Sequence, residues 1–506
     1  MAAADRLTIA AGTPGHVLME RAGRAVARAV IDLAGYRYGL RTLVLCGKGN
    51  NGGDGFVAAR VLGAQGVSVT CACVSDVTET RGDAATHLAR LKASGIEPTR
   101  FDGDVAGFDV VVDAIFGTGF TGVASGDPAA AIEALRGHPA VVAVDVPSGV
   151  NAATGAIDGP AVLARVTVAL GAEKTGTAVP PGSTHAGALR VADIGIDIGV
   201  RKMESAGTGV QVNSFVEMAE AADIAACLPR RDPSAHKRSH GSVAIFAGSD
   251  EMRGAALLCA HGAIRMGAGY VTLGSTAAVK EAAAVFHPEI LCHVATTGDS
   301  LSASALDEMA DALKRCDAAA IGPGLTTASG VSELVARALR ELEVPLVLDA
   351  DAINVLDPED LRSRTHPTVL TPHPGELARL MSTTTSDVVR DRIEAARSAA
   401  AAFPSSVVLL KGNRTVISYA GGKAIVVIPV GGPELATAGT GDVLTGALAA
   451  LLAEGVAPAG AAIAAAYVHG LAGSVAGSRV GPRAVVAGDV AEALGEAALL
   501  LVHRPA

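Results

Sequence analysis

Apolar residues along this chain follow two rhythms. Val17, Leu18, Ala22, Val26 and Val30 recur at helical spacing, and Thr13-Pro14 ahead of them supplies an N-cap and a first-turn proline, so a helix is predicted there. Short continuous apolar runs at residues 41–46, 67–74, 109–115, 140–146, 166–170 and 188–194 predict strands buried on both faces. Between the first two runs lie a glycine-rich loop, residues 47–55, and a helix, residues 56–65. Strand, turn, helix and strand form a βαβ unit, which calls for a parallel sheet. The pattern fades over residues 199–209, where a domain boundary is expected, and restarts after Arg230-Arg231-Asp232-Pro233. Further strands at 242–246, 318–321, 346–348, 407–410 and 424–428 then alternate with Ala-rich helices, one of them over 443–453. The expected fold class is α/β: two doubly wound domains, residues 1–208 and 213–506.

Composition narrows the function. Across 506 residues, 41 Lys+Arg stand against 51 Asp+Glu, giving a net charge of −10 and arguing against a general nucleic-acid binder, whose affinity rests on clustered cations. Aromatics at 3% offer few base-stacking platforms. Seven scattered cysteines (46, 71, 73, 227, 259, 292 and 316) complete no zinc pattern and are expected to be buried free thiols in a reducing compartment. Residues 1–18 lack a basic segment followed by an apolar one, so no secretory leader is expected. The longest apolar region, 443–476, is interrupted by Glu454, Pro458 and His469, so no membrane span is expected. These features point to a cytoplasmic protein.

In the first half, Gly47-Lys48-Gly49-Asn50-Asn51-Gly52 matches the GxGxxG spelling of dinucleotide folds. So does Gly117-Thr118-Gly119-Phe120-Thr121-Gly122, which shows how little the spelling means alone. The loop also ends in Asp54, a carboxylate that would repel a pyrophosphate and suits hydroxyl recognition or helix capping better. Asn51, Asp113, Asp145 and Ser148 follow strand ends, where open α/β sheets bind ligands. Their oxygens suit a hard cation or a sugar hydroxyl. Lys174 follows another strand end and is read as a loop lysine that could face the same crevice.

Together Leu18 to Gly23, Gly49 to Gly55, Asp113 to Gly119 and Asp145 to Gly149 resemble the N-terminal domain of the YjeF family, NAD(P)HX epimerase, where NAD(P)HX is hydrated NADH or NADPH. That resemblance implies a Rossmann-like domain in which Asn50, Asn51, Gly52, Gly53 and Asp54, the stretch Gly117, Thr118, Gly119, Phe120, Thr121, Gly122 and Val123, and Asp145 contact the hydrated dinucleotide. It further implies potassium held by Asn51, Asp113 and Ser148, and brings in Lys174 as an acid–base partner.

In the second half, Ala438-Gly439-Thr440-Gly441-Asp442 directly precedes an apolar helix. Amides freed by glycine at a helix N-terminus form an anion hole, and the helix end is expected to keep Asp442 ionised as a base. Phosphoryl transfer to an alcohol needs that combination. Lys411-Gly412-Asn413-Arg414-Thr415 offers cations for nucleotide phosphates, Asp349 and Asp351 could attract magnesium, and His373 sits between two prolines. With Gly254-Ala255, Gly322-Pro323-Gly324 and Thr371 to Glu376, these motifs resemble ribokinase-like domains, and among them the ADP-dependent NAD(P)HX dehydratases. The family implies hydrated-dinucleotide contacts at Ala255, Gly324, His373 and Asp442, and ADP contacts at residues 411–415 and Gly441. Gly431-Gly432-Pro433-Glu434 departs from the Asn-containing turn common among relatives.

The two resemblances combine chemically. Hydration leaves a hydroxyl on a stereogenic carbon of the nicotinamide ring. Phosphorylation makes it a leaving group that the ring nitrogen can expel, and an epimerase feeds both epimers to a chiral site. The expected activity is repair of NADHX and NADPHX using ADP with magnesium, with no nucleic-acid or membrane partner and with room for a homo-oligomer. A ribokinase-like small-molecule kinase with a regulatory first domain, and a binding-only first domain, are the competing readings.

Overall fold

The computed structural model describes residues 2–196, 216–231, 233–234 and 236–502. The boundary expected at residues 199–209 lies outside them. The chain divides into two compact units, residues 1–214 and 215–506.

The first unit is built on seven strands: β1 (Arg41–Cys46), β2 (Ser68–Cys73), β3 (Thr99–Arg100), β4 (Val110–Ala114), β5 (Val141–Val144), β6 (Val166–Leu170) and β7 (Ala188–Ala192). They are parallel throughout, in the order β3-β2-β1-β4-β5-β6-β7, so strand order reverses between β1 and β4. A ligand crevice belongs at the carboxyl ends of those strands. The glycine-rich segment is not all loop. Residues from Asn50 already belong to the helix Asn50–Ala64, with the Gly53 amide donating to Gly49 O at 3.1 Å. Its glycines are packing devices: a Cβ on Gly55 would lie 2.7 Å from both Ala114 Cβ and Cys46 Sγ, and one on Gly53 would lie 2.9 Å from Ala84 Cβ. Helix propensity gives way here to close helix-to-sheet approach. The helix expected after Thr13-Pro14 runs Gly15–Ala34 with Pro14 as N-cap, and no side chain caps it.

In the second unit, β8 (Glu217–Met218), β9 (Ser242–Phe246), β10 (Tyr270–Ser275), β11 (Leu291–Val294), β12 (Ala318–Ile321), β13 (Leu346–Leu348), β14 (Thr368–Leu370), β15 (Ser406–Leu410), β16 (Val416–Tyr419) and β17 (Ala424–Val427) form one sheet. Its order is β11-β10-β9-β12-β13-β14-β15-β16-β17-β8, with β16 antiparallel to both β15 and β17 and the other pairings parallel. Helices Arg253–Met266, Thr440–Ala453, Pro458–Val480 and Ala487–Val502 supply much of the core on one face. Gly262 abuts the Val443 backbone and Gly446 the Cys259 carbonyl, so the first two helices pack closer than side chains would allow.

The apolar region is broken where Glu454 and Pro458 were expected to break it, Glu454 capping one helix and Pro458 opening the next, but His469 lies within that 23-residue helix and does not interrupt it. That helix, Pro458–Val480, is long and apolar enough by length and composition to cross a membrane, and its alanines are instead packed into the core of this unit. All seven cysteines are unpaired, but Cys227 is exposed and Cys292 half-buried, against the expectation of uniform burial.

Candidate active sites

The first site gathers at the carboxyl ends of β1, β4, β5 and β6. Asp145 follows β5 with φ 68, a left-handed conformation rare for residues other than glycine, asparagine and aspartate. Its N–H donates to Val168 O at 2.8 Å, while its Oδ1 accepts from Leu170 N at 2.9 Å and from Lys174 Nζ. Lys174 also donates to Leu170 O at 2.7 Å and Ala172 O at 3.0 Å. It is 5% exposed, so it is a buried partner of Asp145 and not a solvated loop lysine. Asp54, in the first turns of helix Asn50–Ala64, is buried as well. Burial first, then the charges of Asp145 and Asp5, push its carboxyl well above the usual range, with Lys174 opposing. The site therefore sets a carboxyl held toward its neutral form near an ion-paired one. The repulsion of pyrophosphate expected from Asp54 is correspondingly relieved.

Asn51, Asp113 and Ser148 are brought together around Phe116. Asn51 Nδ2 donates to Phe116 O at 2.7 Å, leaving Oδ1 as an acceptor, and Ser148 Oγ accepts from Phe116 N at 2.9 Å. Ser148 donates its hydroxyl to Asp113 Oδ1 at 2.6 Å and its N–H to Oδ2 at 2.8 Å. Burial pushes Asp113 up to about 6 against these bonds. One carboxylate among neutral oxygens is a donor set that fits a hard monovalent cation. Residues 117–123 form the largely exposed loop after β4, anchored where the Phe116 and Phe120 rings stack at 4.6 Å.

In the second unit, Gly439 (φ 91) turns the chain into helix Thr440–Ala453, placing Asp442 in its first turn. Burial, then Asp349 and more weakly Asp351, push Asp442 up to about 7, with Lys411 acting the other way. This corrects the expectation of a fully ionised Asp442: desolvation and like charge outweigh the helix end. Asp349, 1% exposed, accepts from Lys411 Nζ at 2.6 Å, Thr371 Oγ1 at 2.8 Å and Thr445 Oγ1 at 2.7 Å. Asp351 accepts from Thr326 N at 2.8 Å. The two acids expected to attract magnesium are thus engaged with protein donors. Burial opposes the charge on Lys411, but Asp349 and Glu376 more than offset it and raise its pKa.

Residues 411–415 form the hairpin loop between β15 and β16. Lys411, Gly412, Asn413, Thr415 and Gly441 line a cavity of about 470 Å³. Ala255, Gly324, His373 and Asp442 do not line it, so residues assigned to ADP and to hydrated dinucleotide fall into different sets in space. Ala255 and Gly324 (φ 66) do meet: a Cβ on Gly324 would lie 2.9 Å from Ala255 Cβ. Arg414 is not among the residues that line the cavity, and its Nη1 donates to Met218 Sδ at 3.6 Å. His373 caps helix Pro374–Leu380, Nδ1 accepting from Gly375 N at 3.0 Å, and its side chain is 56% exposed.

Sequence reading gives no ligand role to several other residues of the cavity wall, among them Gly431, Gly432, Pro433, Leu435 and His469. The unusual Gly431-Gly432-Pro433 turn and a histidine inside an apolar helix were the available signals. His469 Nε2 donates to Thr440 O at 2.9 Å, and burial pulls its pKa down to about 4, so it is a neutral strut behind the helix mouth.

Comparison with known proteins matches both units of the chain to described families. The family model described as NAD(P)H-hydrate dehydratase matches residues 243–495, and the YjeF-related N-terminal model matches residues 15–176. A bifunctional NAD(P)H-hydrate repair enzyme Nnr from Moorella thermoacetica is 41% identical, the match covering 95% of this chain and 92% of that protein. The Escherichia coli protein of the same name is 33% identical over 94% of this chain and 88% of its own length. A ribokinase-like superfamily protein from Enterococcus faecalis superposes with a TM-score of 0.50 at 23% identity, covering 57% of this chain and 97% of that one, a likeness of fold. With an epimerase-type domain and a dehydratase-type domain in one chain, this protein belongs to the family of bifunctional NAD(P)H-hydrate repair enzymes.

Proposed function

We propose that the second domain uses ADP to dehydrate the S epimer of NADHX and NADPHX, and that the first, with potassium bound, interconverts the R and S epimers. Asp442 takes the proton of the ring hydroxyl, whose oxygen attacks the terminal phosphorus of ADP, and AMP departs. The ring nitrogen lone pair then expels phosphate as the C–O bond breaks, and loss of a proton from the neighbouring carbon restores the double bond. The amides of residues 438–441 stabilise charge on the transferring group, and Lys411, 3.5 Å from where a Cβ on Gly441 would stand, adds a cation beside them. Magnesium would travel with the nucleotide phosphates, since Asp349 and Asp351 already hold protein donors. In the first domain Asn51, Asp113 and Ser148 would hold potassium, which supplies positive charge near the substrate, while Asp145, Lys174 and Asp54 handle protons. The seven unpaired cysteines support a reducing, cytoplasmic setting.

The observation that carries the reading is Asp442 in the first turn of a helix whose Gly441 lines one cavity together with Lys411, Gly412, Asn413 and Thr415. Purified protein incubated with mixed hydrate epimers and ADP should restore dihydronicotinamide absorbance and release AMP and inorganic phosphate. A stable phosphorylated alcohol would mean a simple kinase. The rate should also follow Asp442. A base held at about 7 is active when deprotonated, so kcat/KM should fall about tenfold per pH unit below 7 and level off above it. A rate that rises on acidification through that range would remove Asp442 as the base.

A further inference from the structure

Arg392 opens helix Arg392–Ala402 and is 4% exposed. Burial alone pulls its pKa down, to about 10, with no carboxylate contributing, so it stays charged at neutral pH. Among the described residues, each protein partner of this guanidinium is a backbone carbonyl of one short stretch. Nη1 donates to Asn413 O and to Arg414 O at 3.3 Å, and Nη2 donates to Leu410 O and Lys411 O at 3.2 Å each. The approach needs a bare α-carbon, because a Cβ on Gly412 would lie 2.9 Å from Nη2. Gly412 (φ 139) and Arg414 (φ 56) both take positive φ, which lets the loop wrap the guanidinium.

In a trans peptide the carbonyl and the following N–H point opposite ways. Drawing the carbonyls of Lys411, Asn413 and Arg414 onto Arg392 therefore turns the N–H groups of Gly412, Arg414 and Thr415 away from it. None of these three has a protein partner among the described residues. Gly412 and Thr415 line the cavity, whose wall on other elements includes apolar Pro433, Leu435 and Leu444. Backbone N–H groups turned to one side make an anion-binding concavity, and here a cation without a counter-ion stands behind it.

We propose that Arg392 is a positioning residue that makes the 411–415 hairpin loop a phosphate cradle, so that this loop holds the phosphates of the nucleotide and not its base or ribose. The proposal rests on the reading that a nucleoside diphosphate enters this cavity. Calorimetric titration of the full chain with ADP, AMP and adenosine, beside steady-state kinetics, tests it. Arg392→Met should weaken ADP binding about tenfold or more, since several charge-assisted contacts shape the loop. AMP should lose less and adenosine nothing. The KM for ADP should rise by a similar factor while kcat changes by less than about threefold. Arg392→Lys, which keeps the charge without the planar fork, should recover part of the loss. Gly412→Ala displaces the guanidinium without removing it and should reproduce the ADP-selective loss even if Arg392→Met does not fold. An equal loss for all three ligands, or no loss in either variant, overturns the cradle alone. Failure of the unaltered chain to bind ADP overturns the nucleotide site and the cradle with it.

Discussion

Replacing Asp442 by asparagine is expected to lower ADP-dependent dehydration by roughly 10²–10⁴-fold, the usual contribution of a positioned base, while leaving epimerisation unchanged. The substitution keeps the shape of the side chain in the first turn of helix Thr440–Ala453 and removes only its ability to accept a proton. Stability should move the other way. Burial and Asp349 raise the folded-state pKa to about 7, so the folded domain loses stability as pH rises from the ordinary carboxylate range through 7. Asparagine has no such titration, so the variant should unfold no more readily than the native chain at pH 8. Single-turnover restoration of NADH from the S epimer, beside chromatographic epimer exchange, checks the prediction. Dehydration within tenfold of the native rate would rule out Asp442 as the base.

Asp145→Asn should have the mirror-image effect: loss of epimerisation, with dehydration of pure S epimer retained. It should also destabilise the first domain by about 3–5 kcal/mol, because Lys174, with its side chain 4% exposed, would be left as a buried charge without its carboxylate. Asparagine tolerates the left-handed conformation of this position, so the backbone is not the cause. Adding Lys174→Met should restore part of the stability by removing the orphaned charge, but none of the epimerisation. Thermal unfolding and epimer exchange on the single and double variants separate the two roles. A single variant as stable as the native chain would show that the pair is solvated, against the geometry described.

Much of the fold was legible because buried parallel strands leave an unmistakable trace. Residues 41–46, 166–170, 242–246, 318–321 and 346–348 were read to the residue, since uninterrupted apolar runs bounded by turn residues have few other uses. The glycine-rich segment after β1 reads as loop in the sequence because glycine disfavours helices in general. Here contact of Gly53 with Ala84, and of Gly55 with Cys46 and Ala114, reverses that preference. Motif residues such as Asn51, Asp113 and Ser148 could be named because their spacing to strand ends is local. Arg392 and His469 could not: one is 18 residues before the first carbonyl it holds, and the other lies in an apolar helix whose pattern suggests only packing.

Sequence by itself determined the two α/β units, the strands that carry them and the residue types at the strand ends, because hydrophobic period and glycine-marked turns are properties of neighbouring residues. Only the tertiary structure decided the state of those residues: Asp54 and Asp442 driven toward protonation, Lys174 sealed against Asp145, Asp349 accepting from three side chains, Arg414 set against Met218. Desolvation and charge pairing depend on what lies across space from a group, and residues far apart in the chain supply those neighbours.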